Sequence, residues 1–143
     1  MLRRMYLGGP VKLITRDTDY AIRAVCFIAK GRKDMACVKD LVRRLRIPRP
    51  FLRKILQKLN KNRLLKSYRG KGGGFALSES AEKISVYDMI KIFQGDIKLS
   101  EHTFKKRPCP EIKRCYLKAE LDKIEARVTD DLKSIMLSSL IRD

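Results

Sequence analysis

The chain has 143 residues, 44% of them hydrophobic, which suits one globular domain, and it carries 34 Lys and Arg against 16 Asp and Glu, a net charge of +18. No run approaches the roughly 18 to 20 consecutive apolar residues that span a bilayer, and the start lacks the apolar core of a secretory signal, so a soluble, cytoplasmic protein is expected. Residues 1–78 hold 21 Lys and Arg against 4 Asp, a net of +17, whereas residues 79–143 hold 13 against 12, a net of +1. A basic half joined to a neutral half is the electrostatic footprint of a polyanion-binding module, with nucleic acid the leading partner. A membrane surface fits less well, because the basic helices carry ordinary core stripes and the chain has no Trp.

Residues 1–12 read as an N-terminal arm whose Arg3 and Arg4 are either solvated or touch a partner. Asp17 and Thr18 supply capping oxygens, and Tyr20, Ala21, Ala24, Val25 and Ile28 recur at helical spacing, so a first helix is expected to end near Gly31. Val38, Leu41, Val42 and Leu45 form the buried face of a second helix, with Lys39, Arg43, Arg44 and Arg46 outside it. That helix stops at Ile47-Pro48, because the residue before proline is pushed out of the helical region. Pro48 or Pro50 then opens a third helix, where its missing donor is not needed. This helix buries Leu52, Ile55, Leu56 and Leu59 and shows Arg49, Arg53, Lys54, Gln57, Lys58 and Lys61 on its other face. Such a face is either merely solvated or suited to phosphates and base edges in a major groove.

Ser67-Tyr68-Arg69-Gly70-Lys71-Gly72-Gly73-Gly74-Phe75 is a glycine-rich turn between extended stretches at 64–68 and 75–77. It is not a Walker loop, which needs Gly-Lys-Ser/Thr opening a helix, nor a dinucleotide fingerprint, which needs glycine where Phe75 stands. It is either a plain hairpin or a wing whose tip carries Arg69 and Lys71. Two short helices, a turn and a strand-turn-strand make a winged helix-turn-helix, with Arg69 entering the adjacent minor groove. The candidate DNA-binding set is Arg49, Arg53, Lys54 and Lys58 with Ser67, Arg69, Gly70, Lys71 and Gly72.

Three stretches carry a resemblance: Ile14 to Arg23, Ile47 to Leu56, and Ser67 to Phe75. Together they resemble the Rrf-type bacterial transcription regulators, the family of IscR, NsrR and CymR, from about Leu13 to the end of the chain. The resemblance implies a mainly α protein with a small β-wing, binding double-stranded DNA as a homodimer, with the helix near Pro48 in the major groove and the wing in the minor groove. On this reading residues 1–12 are the arm, 13–80 the DNA-binding region, and 81–143 the sensor loop and dimerisation helices.

In the neutral half, Ser85 and Asp88 have capping-box spacing and Ile84 faces Met89 as an apolar staple, so a helix should run to Phe93 and stop at Gly95. After a loop rich in Lys and Pro, Leu117, Leu121, Ile124, Val128 and Leu132 line one face of a long helix. That stripe must be buried, either on its own domain or against another copy, and the resemblance implies the second. A palindromic operator would match the two-fold symmetry of such a dimer. Residues 134–141 are expected to form a last short helix packed against that dimer.

Four cysteines in a cytosolic protein are poor candidates for structural disulfides. Cys26 lies in the first helix's apolar pattern and reads as core; Cys37 precedes the second helix, has no obvious partner and also reads as packing. Cys109 and Cys115 lie among Lys105, Lys106, Arg107, Lys113 and Arg114, cations that favour the thiolate, and are the reactive or ligating candidates. In many Rrf-type regulators this loop carries three cysteines holding an iron-sulfur cluster, the last two separated by five residues. Cys109 and Cys115 match that pair, but the first cysteine is absent, and His102 is the imidazole available in its place. Asp19 matches an acidic position that supplies a ligand from the partner subunit in the nitric-oxide-sensing branch. The resemblance therefore implies a regulator responding to iron-sulfur, redox or nitric oxide status. The alternatives are a cluster-free regulator answering to a thiol switch or a partner, and a nonspecific nucleic-acid-binding protein. An enzyme is not expected, since no base is fixed beside either cysteine.

Overall fold

A computed structural model describes residues 10–101, 103, 104 and 107–141. Helix α1 spans Arg16–Lys30. Thr15, in an extended conformation, caps it by accepting from the amide of Thr18, while Asp17 and Asp19 in the first turn and Lys30 in the last complement the helix dipole. The cap is thus Thr15 rather than Asp17 or Thr18, because Thr18 turns inward and is fully buried. Ala21, Ala24, Val25 and Ile28 are completely buried, as their spacing requires.

A tight turn at 32–34 leads into strand β1, Met35–Ala36, and helix α2, Val38–Leu45. Leu41 is fully buried, and Val38, Val42 and Leu45 pack on the same core. Arg46 takes a left-handed conformation, φ 54°, and its amide closes the helix on Val42. Helix α3, Arg49–Lys61, follows Pro48, has Pro50 in its first turn, and buries Leu52, Ile55, Leu56 and Leu59. Strands β2, Leu65–Tyr68, and β3, Gly74–Leu77, pair antiparallel, with Ser67 opposite Phe75 and Tyr68 opposite Gly74.

The sheet holds a third strand that the sequence pattern does not reveal. β1 lies on the outer side of β3, with Met35 opposite Ala76 and Ala36 opposite Phe75, giving the order β1-β3-β2. Gly74 makes this possible: a Cβ there would fall 2.3 Å from the Ala36 carbonyl oxygen.

Helix α4, Val86–Gln94, opens with a complete capping box: Ser85 Oγ accepts from the Asp88 amide, and Asp88 Oδ2 accepts from the Ser85 amide at 2.8 Å. Ile84 and Met89 share one core cluster, as the staple requires, and the helix ends at Gly95. A two-residue hairpin, β4 Thr103–Phe104 with β5 Arg107–Pro108, precedes a short turn at 112–114 and the long helix α5, Tyr116–Ser134.

The core runs past residue 80: Ile84, Met89 and Leu137 join the residues of α1, α2 and α3 in a single cluster. A second cluster of Val86, Ile90 and Leu132 seats the C-terminal part of α5 on α4. Residues 134–141 differ from expectation. The last helix, α6, is only Leu137–Leu140, and it packs on the core of its own chain. Leu137 is fully buried in the main core, the amides of Leu137 and Ser138 donate to the carbonyls of Ile84 and Ala81, and the Val86 amide donates to Ile135. Burying one leucine contributes about 1.5–3 kcal/mol, and these backbone bonds fix where the chain end lies.

Candidate nucleic-acid interface

On α3 four apolar side chains, Leu52, Ile55, Leu56 and Leu59, turn inward, and Arg49, Arg53, Lys54, Gln57, Lys58 and Lys61 are all exposed. Beyond the helix, Gly70 and Gly72 adopt φ 93° and 79°, which an L side chain resists, and the Gly73 amide closes the turn on the Gly70 carbonyl at 3.0 Å. Ser67, Arg69, Gly70, Lys71 and Gly72 are exposed along this wing. Among the described residues, Arg49, Arg53, Lys54, Arg69 and Lys71 form no ion pair, so their charge is available to an external anion.

A cleft lies between α3 and the wing, lined by Gln57 and Asn60 on one wall and Ser67, Tyr68 and Arg69 on the other. Asn60 and Tyr68 do not stand out in the sequence, one being a lone amide on a basic face and the other a strand aromatic; the strand pairing is what turns Tyr68 outward, half exposed. Lys58 departs from the rest of the basic face. Its ammonium sits 5.0 Å from the centroid of the Phe93 ring, and this cation–π contact directs it toward α4.

The thiols divide in two. Cys26 is half-buried against the core, and burial pushes its thiol pKa up, with Lys30 partly offsetting this. Cys37 has a partner after all: its Sγ caps α2, accepting from the Asp40 amide and donating to Asp40 Oδ2 at 3.1 Å. Cys109 and Cys115 are both half-buried and stand on either side of the turn at 112–114, with Cys115 Sγ capping α5 by accepting from the Lys118 amide. His102, Lys105, Lys106 and the arm residues Arg3 and Arg4 lie outside the described residues. Among the described residues no three His, Cys, Asp or Glu side chains form a group that could hold a metal, and Asp19 pairs with Arg23 on the surface of α1. A cluster takes four ligands, so the two described thiols do not make a cluster site by themselves.

The stripe of α5 is half used. Leu132 is buried and Val128 and Leu121 are half-buried, but Ile124 and Leu117 are 44% and 65% exposed, and Tyr116 beside them is 90% exposed. The first turns of α5 thus leave an apolar face in solvent. No helix among the described residues is long and apolar enough to cross a membrane.

A short supporting helix, a basic-faced second helix and a glycine hairpin with cations at its tip make this a winged helix-turn-helix DNA-binding protein. The Rrf2 family profile, described as an iron-dependent transcriptional regulator, matches residues 14–143, and the chain belongs to that family. The transcriptional regulator NsrR of Oceanobacillus iheyensis is 30% identical over 133 residues, covering 91% of this chain and 90% of the relative. Two solved structures share the fold. CymR, the global cysteine regulator of B. subtilis, superposes with a TM-score of 0.73 at 22% identity, over 92% of this chain and 97% of its own. T. potens IscR superposes with a TM-score of 0.71 at 23% identity, over 94% and 88%. The protein is a helix-turn-helix transcriptional regulator, not an enzyme.

Proposed function

We propose that this regulator binds a palindromic operator as a homodimer in the cytoplasm, with α3 in the major groove and the 69–72 turn in the flanking minor groove. The observation that carries the reading is the set of five cations, Arg49, Arg53, Lys54, Arg69 and Lys71, that form no ion pair among the described residues and are held on two neighbouring elements. Ser67, Gly70 and Gly72 complete the contact set, and Lys58 joins it on leaving the Phe93 ring: the glycines let the wing backbone approach a phosphate closely, and Ser67 offers it a hydroxyl. Dimerisation rests on the open stretch of the α5 stripe, where Leu117 and Ile124 of one copy find an apolar surface on another, in line with Leu121, Val128 and Leu132.

The signal enters at Cys109 and Cys115. Both flank the turn that starts α5, and Cys115 also caps that helix, so a chemical change at its sulfur acts directly on the first turn. Regulation then requires the modified and unmodified loops to favour different arrangements of the two heads. Iron-sulfur, redox and nitric oxide signals all act at thiols or at the metal they hold, and a cluster here would need ligands beyond Cys109 and Cys115. Anaerobic purification followed by the visible spectrum and iron and acid-labile sulfide analysis tests this point. A colourless, iron-free protein after attempted reconstitution leaves thiol chemistry as the signal, whereas a cluster retained by a Cys109→Ser, Cys115→Ser variant contradicts the assignment of these residues.

A further inference from the structure

Helix α3 carries one large apolar side chain that its own domain does not use. Phe51 is 53% exposed, whereas the apolar residues on the core face, Leu52, Ile55, Leu56 and Leu59, are at most 4% exposed. Neither hydrophobic cluster of the described residues takes it in. Pro50 precedes it in the first turn, so Phe51 stands at the end of α3 that would lead into the groove. Helical spacing sets Phe51 one turn from Lys54, whereas Arg49 and Arg53, two residues to either side, lie on the other flank of the exposed face.

Those neighbours decide what covers the ring. An apolar protein surface laid over Phe51 would also strip water from Lys54, which has no acidic partner among the described residues, and an unpaired charge is costly to desolvate. A duplex groove matches both features, because phosphates and base acceptors neutralise the cations while the base edges offer something apolar. In the major groove that apolar group is the C5 methyl of thymine. The phenyl ring has no hydrogen-bonding group, so at a base edge in the major groove it reads by apolar contact rather than by hydrogen bonds.

We propose that Phe51 is a specificity-determining residue that selects thymine in the operator by apolar contact with its C5 methyl. This rests on α3 entering the major groove, the reading given above. The neighbouring cations supply most of the affinity, which any sequence receives, and Phe51 supplies a preference between sequences.

The test uses the full-length protein and a duplex selected with it from a random pool. That duplex is made once with thymine and once with deoxyuridine, which lacks only the methyl group, and both are titrated at one salt concentration with wild type, Phe51→Ala and Phe51→Leu. Wild type should lose about four-fold in affinity for each methyl it contacts, the value of one buried methyl group. Phe51→Ala should bind the thymine duplex correspondingly less well and not distinguish the two duplexes, while Phe51→Leu keeps part of the distinction. Thermal unfolding of both variants should match wild type, since the side chain is exposed. Equal binding of the two duplexes by wild type overturns the proposal, as does a Phe51→Ala protein that still discriminates in full or loses the same factor on both. Failure of wild type to bind any duplex would remove the major-groove reading itself, which separates that outcome from failure of Phe51 alone.

Discussion

Thr18 Oγ1, fully buried on α1, donates to Oε1 of Gln94, the last residue of α4, at 2.6 Å. The same oxygen of Gln94 accepts from the Thr15 amide at 3.0 Å, and its Nε2 donates to the Leu13 carbonyl at 3.0 Å. One side chain therefore ties the start of α1 to the end of α4. The residue before it, Phe93, lies under Lys58 of α3. Two consecutive residues next to Gly95 thus hold two helices of the DNA-binding head where the chain leaves for the cysteine loop.

Gln94→Leu removes all of these partners and leaves the buried Thr18 hydroxyl with only Thr15 Oγ1, 3.1 Å away. The expected loss is about 1–3 kcal/mol, the cost of a buried polar group deprived of its bond. In urea unfolding, Thr18→Val combined with Gln94→Leu should cost less than the sum of the single changes; strict additivity would mean that the two residues do not interact.

Leu137→Ala should destabilise the protein by about 2–5 kcal/mol, because the leucine is fully buried and α6 is held on both flanks by backbone bonds. Denaturation at several protein concentrations checks this. A loss below about 1 kcal/mol, within the range of surface changes, would place α6 outside the core.

Arg63 occupies a left-handed conformation, φ 60°, between α3 and β2, where glycine is free of strain. Arg63→Gly should raise stability by about 0.5–1 kcal/mol, the left-handed penalty less the added entropy of the unfolded chain. A fall in the unfolding midpoint would show that the arginine side chain contributes more than its backbone costs.

Burial raises the Cys26 pKa above its ordinary value, so the unfolded chain gives up that proton first. The stabilising effect is complete below the unfolded pKa and is lost as pH rises through the folded one. Stability should decline on the alkaline side, and Cys26→Ala should flatten that part of the profile. An unchanged slope in the variant assigns the decline to other groups.

The wing and α1 to α4 are legible in the sequence because each carries a local signal: helical spacing, a capping box, or a glycine run between extended stretches. Most of what the sequence does not show is non-local. Met35–Ala36 is too short to show alternation, and it is a strand only because Gly74 lets β3 approach. Asp40 stands three residues past Cys37, yet a thiol is not among the common capping groups, so this local bond carries no familiar sequence signal. The stripe on α5 shows that the helix is amphipathic but not how far its own domain covers it; Leu132 is buried and Leu117 is open on the same face. Leu137 likewise carries no mark that distinguishes its own core from a partner. For the site, Arg69 and the α3 cations were legible as unbalanced charge, whereas the outward turn of Tyr68 and the exposure of Phe51 depend on packing.

The central claim is that the unpaired cations of α3 and the wing hold duplex DNA, and the most direct measurement is affinity for a selected duplex as a function of salt. If the bound protein neutralises about 6 to 10 phosphates, affinity should fall by about 10³ to 10⁵ between about 50 and 200 mM salt. Arg69→Ala should weaken binding and make it less salt-dependent, with the oligomeric state unchanged. Affinity that does not respond to salt, or an Arg69→Ala protein that binds as wild type does, would contradict the account.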